Sequence, residues 1–435
     1  MRLMARWRVA LVAVLMSATL VACAAPSVVV KQTSPGDTTE RLPNIACGGC
    51  TGYTPQRLRA AYGLTSLYDS GKQGQGQTVV IIDSFGSPTL QQDVATFDQQ
   101  FNLPAVKLQV LAPLGTVPFD QNNQEMQGWQ GETTLDVEMA HAIAPQASIV
   151  VLTSPVDETE GVAGLPQFLQ LEQYAVSHHL GSIVSQSWAA SEVSLNDASG
   201  QAELAQWNTF YQQATTQQGI TFFGSSGDNG ATDYTDASLN NVSSTPTTSF
   251  PDDSPWVTAV GGTTLTPNGS SFSEVVWNSG SGASGGGVSQ FYTTPSFQQG
   301  LPQSAQQVLN GKRGVPDVAA AADPNTGLAI YYAGQWTLAG GTSAAAPLWA
   351  GVMAIADQVA GHPLGYINPA LYKIGASAQY SSAFHDVTEG NNNYNGHGEQ
   401  VVGYPATTGW DPVTGLGTPN AANLIPLLVQ ESKAG

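Results

Sequence analysis

Charge is scarce in this chain, and positive charge is the scarcest. Only 10% of the 435 residues are charged, and 13 lysines and arginines stand against 32 acidic residues, for a formal net charge of −19 at pH 7. Such a surface repels the phosphate backbone of nucleic acids, and we find no basic patch that would offset the repulsion. The composition therefore excludes nucleic acid as a partner.

Cysteine and long hydrophobic runs are also scarce. The three cysteines, Cys23, Cys47 and Cys50, are too few for a disulfide-built scaffold, although the last two are spaced for a local disulfide in an exported protein. The apolar run of residues 9–21 is too short to cross a membrane. The 47 glycines and 26 prolines fit a compact extracellular α/β protein with long loops.

The N-terminal region predicts export. Arginines precede the apolar run, as is typical of secretory signal peptides. Residues 20–23, Leu-Val-Ala-Cys, resemble a bacterial lipoprotein cleavage box. We therefore expect a signal peptide of residues 1–22 and a lipid anchor on Cys23 that makes the protein a cell-envelope lipoprotein. Ordinary signal cleavage nearby, giving a secreted protein, is the alternative. Residues 23–50 predict a flexible tether.

Residues 340–347, Gly-Gly-Thr-Ser-Ala-Ala-Ala-Pro, predict a serine nucleophile at a helix start. Apolar residues with helical spacing follow Ser343, and the segment ends at Gly361. The unpaired N–H groups at a helix N-terminus favour developing negative charge. Pro347 is expected in or near the first turn, where its missing N–H does least harm. A serine that only caps an ordinary core helix is the alternative.

Two carboxyl groups on one helix face offer a base for this serine. Glu132 and Asp136 are four residues apart, and at about 100° per residue they share their face with apolar side chains. Those apolar side chains are Leu135, Met139 and Ile143. Because two inward carboxyl groups cannot both ionise cheaply, we expect them to share a proton and to accept the Ser343 proton at acid pH.

The other polar residues of this helix are assigned elsewhere. Glu138 is expected in solvent, and His141 projects from the side opposite Glu132 and Asp136. The alternative is a surface helix on which both of those acids are solvated. It would place the apolar residues of the same face in water, so the inward arrangement is favoured.

A third acid follows a predicted buried strand. Residues 219–223 have the composition of a short strand, and Asp228 comes directly after it in Ser-Gly-Asp-Asn-Gly. The carboxyl ends of strands in an open α/β sheet face the active site. A protonated Asp228 could therefore donate a hydrogen bond to an oxyanion. The string is also a common turn signal, so a turn or calcium-loop aspartate is the alternative.

These segments together resemble the sedolisin family of serine-carboxyl peptidases, which are related to subtilisins in fold but use Glu and Asp in place of histidine. The resemblance covers almost all of residues 53–428 in the family's order. It also rests on strings at residues 53–55, 185–188, 250–251, 254–263, 285–289, 315–319 and 409–417. It implies a peptidase domain of residues 51–435 with a subtilisin-like three-layer α/β fold, in which helices flank a mostly parallel central sheet.

The resemblance also implies roles for the candidate residues. Ser343 matches the nucleophile, and Glu132 matches its general base and later acid. Asp136 matches the acid that holds and tunes this glutamate, and Asp228 matches the oxyanion-hole acid. Trp188 matches a tryptophan that accompanies the acidic network in some members. The expected function is therefore that of an acid-acting serine-carboxyl endopeptidase on protein or peptide substrates, expected to be a monomer.

Asp83 keeps one alternative open. It follows the apolar run of residues 79–82, where some sedolisins carry a glutamate that extends the acidic network, and aspartate is one methylene shorter. A subtilisin-type neutral protease would keep its triad aspartate at this place. None of the six histidines lies in the His-Gly-Thr string that marks the histidine helix of such enzymes. A catalytically inactive, calcium-stabilised surface binding protein is the other alternative.

A calcium site is implied near the C-terminus. The sedolisin pattern places the ligands at the side chains of two aspartates and at three backbone carbonyls. They fall on Asp386 and Asp411, and on Val387, Thr407 and Gly409. Calcium readily takes such oxygen ligands from Gly- and Asn-rich loops. Without the resemblance, two aspartates this far apart would predict only a solvated loop.

The spacing between the export signal and the resembling region departs from the family pattern. Most sedolisins carry a long propeptide there, whereas only about thirty residues separate Cys23 from Tyr53. We therefore expect a sedolisin-like protein without the usual propeptide. Unaided folding, a separate assisting partner and control by pH alone are all open.

Overall fold

A computed structural model of the chain describes residues 52–268 and 271–432. The predicted signal peptide, the predicted tether and all three cysteines lie outside the described residues. Within the described ranges, no helix combines the length and the hydrophobicity that a membrane span needs.

An eight-stranded sheet forms the centre of the molecule. Its strands, numbered along the chain, are β1 Thr78–Ser84, β2 Lys107–Leu111, β3 Ser148–Ser154, β4 Ile183–Gln186, β5 Thr221–Ser225, β6 Thr258–Asn268, β7 Ser271–Val276 and β8 Val318–Ala321. The spatial order is β8-β6-β5-β4-β1-β3-β2, and all of these neighbours are parallel. β7 pairs antiparallel with β6. The strands of a mostly parallel sheet present apolar side chains on both faces, so both faces must be covered by other elements.

Successive residues of β1 pack into two different cores. The helices are α1 Pro55–Ala61, α2 Thr65–Asp69, α3 Leu90–Phe101, α4 Gln124–Ile143, α5 Leu165–Ser177, α6 Ala198–Gln218, α7 Gln303–Leu309, α8 Thr342–Ala360, α9 Asn368–Gly375, α10 Tyr380–Ala383 and α11 Ala421–Ser432. Val79 and Ile81 belong to a large core that includes side chains of α3, α4, α8 and α11. Val80 and Ile82 belong to a second core with side chains of α5 and α6. The predicted three-layer α/β fold is thus confirmed.

Short antiparallel pairs and 3₁₀ turns lie outside the main sheet. The paired strands are Ala190–Ser191 with Ser249–Phe250, Asn278–Ser279 with Gly282–Ala283, Gly287–Thr293 with Lys312–Val315, Leu328–Tyr332 with Gln335–Ala339, Phe384–His385 with Thr418–Pro419, and Tyr394–Gly396 with Glu399–Val401. The 3₁₀ turns are Ser296–Gln298 and Pro324–Thr326.

Helix α4 is longer and more deeply buried than its sequence pattern predicts. It begins after Asn123, whose side chain accepts hydrogen bonds from two backbone N–H groups of the first turn, and it ends at Ile143, two residues before Pro145. The expectation that Glu138 lies in solvent is wrong. This side chain is fully buried and accepts the N–H of Tyr331, because the strand pair of residues 328–339 covers that side of the helix.

His141 is buried on the side of α4 that faces α3. Its Nε2 atom lies 2.9 Å from Oδ1 of Asp98 and 3.1 Å from the carbonyl oxygen of Pro104. The histidine therefore joins two helices of the core. Its side chain is fully shielded from solvent.

Candidate active site

Three of the four predicted catalytic side chains line one cleft of about 320 Å³, namely Glu132, Asp228 and Ser343. Asp228 follows β5, and Ser187, which also lines the cleft, follows β4. Since β4 and β5 are parallel neighbours, their carboxyl ends meet at the same edge of the sheet. The fourth residue, Asp136, lies behind the cleft and is fully buried.

Close packing of α4 on α8 brings the acids to the serine. At Gly351 of α8, an added Cβ atom would lie 2.7 Å from Cβ of Ile143 on α4, which is closer than real side chains approach. The two helices therefore cross at a distance that only glycine permits. Glu132 lies toward the cleft end of α4, where the Ser343 hydroxyl is near enough to stabilise its ionised form.

Burial dominates the electrostatics of these acids. It raises the pKa of Glu132 well above its ordinary value, against the opposing effect of the Ser343 hydroxyl. Burial also raises the pKa of Asp136, and the nearby charges of Asp83 and Glu132 raise it further. Oε1 of Glu132 is shielded from solvent and has no hydrogen-bond partner among the described residues. The acids therefore hold protons at pH values where an exposed carboxyl group has lost them.

Ser187 connects Asp136 to the residue that carries the nucleophile. Its hydroxyl lies 2.9 Å from Oδ1 of Asp136 and 3.1 Å from the backbone carbonyl oxygen of Ser343. The single hydroxyl hydrogen of Ser187 is shared between the two acceptors when Asp136 is ionised; when Asp136 is protonated, it can instead donate to Ser187, whose hydroxyl then donates to the Ser343 carbonyl. The sequence analysis assigned no role to this serine.

Pro347 explains why the Ser343 carbonyl can accept this hydrogen bond. α8 begins at Thr342, so Pro347, which was expected in or near the first turn, lies in the second turn. In a regular helix, the carbonyl of Ser343 would accept from the N–H four residues later, which proline lacks. The freed carbonyl is available to the Ser187 hydroxyl.

Asp228 is bound to the N-terminus of α8. Its Oδ1 atom accepts hydrogen bonds from the N–H and the hydroxyl of Thr342, at 2.8 and 2.9 Å. Gly341 precedes the helix with a φ of +95°, and a Cβ atom there would lie 2.6 Å from Oδ2 of Asp228. Glycine is therefore required both for the backbone conformation and for the close approach. Burial raises the pKa of Asp228, although both bonds from Thr342 oppose the shift.

Asp83 joins the buried acids, whereas the histidines lie elsewhere. Asp83 is the second-last residue of β1 and is fully buried. Burial raises its pKa, with an opposing effect of the Thr133 hydroxyl, and its charge acts on both Glu132 and Asp136. All six histidines belong to the described residues, and none lines the cleft.

Aromatic side chains form another part of the cleft wall. Trp188 is almost fully buried against Phe168, with ring centroids 4.9 Å apart. Trp129 of α4 also lines the cleft, and its Nε1–H donates to Oδ1 of Asp157. The sequence analysis singled out Trp188 but not Trp129, because a lone tryptophan in a helix gives no sign of where it points.

The two aspartates of the predicted calcium site converge on one loop. Asp386 accepts a hydrogen bond from the N–H of Gly409 at 3.0 Å, and Oδ2 of Asp411 accepts the N–H of Thr407 at 2.9 Å. Among the described residues, no donor reaches the carbonyl oxygens of Val387, Thr407 or Gly409. The described part of the chain contains no group of three or more acidic, histidine or cysteine side chains arranged for a metal. Two carboxylates with free carbonyls nevertheless suit calcium, which accepts backbone oxygens.

Comparisons with known proteins agree with this geometry. Residues 122–370 match the Subtilase family. The chain is 37% identical to kumamolisin from Bacillus sp. (strain MN-32) over 387 residues, which cover 87% of this chain and 64% of that protein. It is 33% identical to sedolisin from Pseudomonas sp. (strain 101) over 394 residues, covering 87% of this chain and 62% of that protein. The chain thus spans less than two thirds of the length of these relatives.

A solved structure is similar over the whole fold. It is the Pseudomonas sedolisin, a serine-carboxyl proteinase, in complex with two molecules of pseudo-iodotyrostatin. The TM-score is 0.71 at 29% sequence identity, and the match covers 88% of this chain and all of that one. The chain belongs to the Subtilase family and, within it, to the sedolisins.

Proposed function

We propose that this protein is an acid-acting serine-carboxyl endopeptidase that cleaves proteins or peptides through an acyl-enzyme on Ser343. The observation that carries the proposal is the cleft itself. A serine at a helix N-terminus shares it with Glu132 and Asp228, and Asp136 lies directly behind. No histidine lines the cleft to serve as the base instead, which disfavours the subtilisin-type alternative.

The catalytic cycle follows acyl transfer with a carboxylate as the base. Glu132 takes the hydroxyl proton while Oγ of Ser343 bonds to the peptide carbonyl carbon. Collapse of the tetrahedral intermediate breaks the C–N bond, and Glu132 returns the proton to the leaving amine. Water then attacks the acyl carbon while Glu132 takes one of its protons. Collapse of this second intermediate breaks the bond to Oγ, Glu132 returns the proton to Oγ of Ser343, and the carboxylic acid product leaves.

The hydrogen bonds of Asp228 indicate which of its oxygens stabilises the oxyanion. Oδ1 is already the acceptor of two hydrogen bonds from Thr342. The proton of the neutral acid therefore resides on Oδ2, which is free to donate to the oxyanion. The N-terminus of α8 contributes the favourable end of the helix dipole to the same charge.

The acid optimum follows from the charge states that this cycle needs. Glu132 must be ionised to accept the serine proton, whereas Asp136 and Asp228 must be protonated to donate. Activity should therefore follow a bell-shaped profile against pH. It rises when the interacting acids lose their first proton, and it falls when they lose a further one. Desolvation raises the pKa values of Asp136 and Asp228, so these two donors keep their protons in weakly acid solution, where an exposed carboxyl group has ionised. At Glu132, the Ser343 hydroxyl favours the ionised form and opposes the desolvation that raises the pKa.

Peptide cleavage as a function of pH tests the function. Purified protein with added calcium is assayed from pH 2.5 to 8, the range over which carboxyl and imidazole bases separate, beside Glu132→Ala and a control, Glu431→Gln. Glu431 lies on α11 and forms an ion pair with the exposed Lys373, and it does not line the cleft. Acid-confined activity that only Glu132→Ala loses supports the proposal. Activity that rises toward neutral pH and survives in Glu132→Ala favours the subtilisin-type alternative. A folded protein without activity favours the binding-protein alternative.

We further propose that calcium binds the loop of Asp386 and Asp411, with the carbonyls of Val387, Thr407 and Gly409 as additional ligands. The ion would neutralise two carboxylates and cross-link the loop. Unfolding is measured with calcium and after chelation, in the wild type and in Asp411→Asn. We expect calcium to raise the Tm of the wild type by several degrees and that of the variant much less. Equal Tm values with and without calcium in the wild type would contradict the site.

Export with a lipid anchor on Cys23 is proposed from the sequence, and so is a monomeric state. Fractionation of cells that express the wild type or Cys23→Ser tests the anchor, because it separates protein attached to the membrane from protein released by the cells. We expect membrane association of the wild type and release of the variant. Equal release of both proteins would favour ordinary secretion. The mass of the purified protein in solution tests the monomer.

A further inference from the structure

A second cavity lies at helices α1 and α2, away from the catalytic cleft. It has a volume of about 450 Å³, and its lining includes Arg57 and Arg59 of α1 with Thr65, Tyr68 and Asp69 of α2. Pockets that bind small ligands typically enclose about 300–1,000 Å³, so this cavity falls within their range. The catalytic cycle proposed above uses none of its residues.

The cavity and the cleft lie at opposite edges of the central sheet. Nε of Arg59 donates a hydrogen bond to the carbonyl oxygen of Ala142, near the end of α4, at 2.8 Å. Ala142 follows Glu132 by ten residues on the same helix, which is about 15 Å along the helix axis. β3 begins shortly after α4 ends, whereas the cleft lies where β4 and β5 end. A ligand of the cavity therefore occupies a site separate from the cleft.

Positive charge concentrates around this cavity, although the protein as a whole is acidic. The described residues contain seven lysines and arginines, which are Arg57, Arg59, Lys72, Lys107, Lys312, Arg313 and Lys373. Three of them lie within residues 57–72, where Asp69 is the only acid. The ion pairs of the described residues are formed by other side chains, so neither arginine of the cavity has a carboxylate partner there. Two arginines on one cavity wall favour an anionic ligand.

Arg59 is held in place but is only partly hydrated. Its Nε atom is bound to α4, and its guanidinium carbon lies 4.6 Å from the centre of the Tyr68 ring. The Tyr68 hydroxyl in turn donates to the carbonyl oxygen of Ile143. Nη2 of Arg59 is shielded from solvent and makes no hydrogen bond within the described part of the chain. A cation that has lost hydration without gaining acceptors attracts an anion more strongly than a fully solvated one.

Acid solution determines which anions can bind there. The terminal carboxyl group of a peptide has an ordinary pKa of about 3.5, so it is almost fully ionised at pH 5, whereas a glutamate side chain, with a pKa of about 4.3, keeps a larger protonated fraction. A planar carboxylate also matches the paired N–H donors of a guanidinium group. Asp69 disfavours a doubly charged anion and accepts hydrogen bonds from N–H groups of a peptide.

We propose that the cavity of Arg57 and Arg59 binds the terminal carboxylate of a short peptide. The two guanidinium groups hold the carboxylate, and Asp69 accepts an N–H of the adjoining peptide backbone. The site goes beyond the proposed function and does not depend on it. Cleavage by the proposed peptidase would only supply such termini.

Calorimetric titration of Ser343→Ala at pH 5 tests the site. The probes are acetyl-Ala-Ala with a free carboxylate, the same peptide with a terminal amide, and inorganic phosphate as another source of an oxyanion. We expect the free acid to bind at least about tenfold more tightly than the amide, which lacks the charge. We expect phosphate to bind more weakly than the free acid, because it offers no backbone N–H to Asp69. Equal affinities of acid and amide, no binding of the acid, or tighter binding of phosphate would overturn the proposal.

Variants in the same Ser343→Ala background locate the binding. We expect Arg57→Gln to weaken binding of the free acid by at least about fivefold. Lys373→Gln removes the same charge from an exposed side chain on α9 and should leave the affinity unchanged. Arg59→Lys keeps the charge but loses the paired donors, and we expect a loss of several-fold. Equal losses in Arg57→Gln and Lys373→Gln would mean that net charge alone attracts the peptide, and would overturn the site.

The same variants separate the cavity from the cleft, because Arg57, Arg59 and Lys373 do not line the cleft. A preference for the free acid that survives in both Arg57→Gln and Arg59→Lys would place the peptide elsewhere and refute the assignment. Turnover by the wild type is measured in parallel. Retained preference for the acid in a protein without peptidase activity would refute the proposed function and keep the site. An active peptidase without this preference would do the reverse.

Discussion

Two groups of acids in this molecule share raised pKa values but differ in what surrounds them. The cleft cluster consists of Asp83, Glu132, Asp136 and Asp228, and it reaches a cleft that contains a serine hydroxyl. The closed cluster consists of Glu192, Asp252 and Asp253, all of which are almost completely shielded from solvent. Burial raises the pKa of Asp252 and of Asp253, as it does for the acids of the cleft cluster.

A raised pKa therefore does not by itself mark a catalytic acid in this protein. In the closed cluster, Glu192 accepts hydrogen bonds from Ser289 and from the N–H of Gln290, and its charge raises the pKa of Asp253 further. None of these three acids lines the cleft that contains Ser343. What distinguishes the cleft cluster is a carboxyl group beside a hydroxyl at a helix N-terminus. Function follows from that geometry, and burial supplies only the proton affinity.

Matched removal of one ionisable group from each cluster tests this distinction most strongly. We expect Glu132→Gln to lower kcat/KM by at least about a thousandfold, since the amide cannot accept the Ser343 proton. Asp253→Asn should leave kcat/KM within about threefold, because it contacts no reacting group. Both are measured with one peptide at the acid optimum. Comparable losses in two folded variants would mean that the closed cluster also serves catalysis.

Ser187 tests how far the cleft cluster depends on its connection to the nucleophile. We expect Ser187→Ala to lower kcat by roughly ten- to a hundredfold with a small change in KM, because Asp136 loses the partner that orders it. The acidic limb of the pH profile should also move, since the acids lose a hydrogen bond that tunes them. Ser187→Thr retains the hydroxyl and should recover much of the rate. A fall in stability with an unshifted profile would indicate a purely structural role.

Much of the fold and of the cleft could be predicted from the sequence, because short-range patterns carry them. The apolar run of residues 79–82 and the face shared by Glu132 and Asp136 follow from the periods of strand and helix. The family resemblance is confirmed by the comparisons. The roles of Glu132, Asp136, Asp228 and Ser343 stay predictions, although the structure brings three of them to one cleft and buries the fourth behind it.

The parts that sequence analysis missed depend on contacts between distant segments. The burial of Glu138 comes from a strand pair almost two hundred residues later in the chain, and helical periodicity holds no information about it. The role of Pro347 depends on Ser187, which supplies the donor for the carbonyl that proline leaves free. Gly351 similarly has no local signature, since its purpose is the approach of α4. Pairings of this kind require the folded structure.

The closed cluster is expected to contribute to the pH dependence of stability. An acid whose pKa is raised in the folded state stabilises the fold fully below the ordinary carboxyl pKa of about 4, and this stability is lost as the pH rises through the folded value. We therefore expect the unfolding free energy of the protein to fall between pH 4 and pH 7.5. Asp253→Asn cannot ionise, so its unfolding free energy should fall less steeply and exceed that of the parent at pH 7.5 by about 1–3 kcal/mol.

Urea unfolding in the Ser343→Ala background measures this effect without autolysis. The two curves of unfolding free energy against pH should approach each other toward pH 4, where Asp253 is protonated in the unfolded chain as well. Parallel curves over the whole range would show that Asp253 titrates normally. Burial would then not be a cause of raised pKa values that the two clusters share.

His141 is expected to have the smallest effect on turnover, because it lies on α4 with Glu132 but faces away from the cleft. His141→Ala removes the contact with Oδ1 of Asp98, whereas Oδ2 of that acid keeps the N–H of Val106 as its partner. We expect kcat within about twofold of the wild type, together with a loss of about 2–4 kcal/mol in unfolding free energy. Activity is measured well below the Tm of the variant, so that unfolding does not imitate a catalytic loss. A folded His141→Ala without activity would indicate that a histidine is the base after all. The acids of the cleft cluster, like those of the closed cluster, would then have no catalytic role.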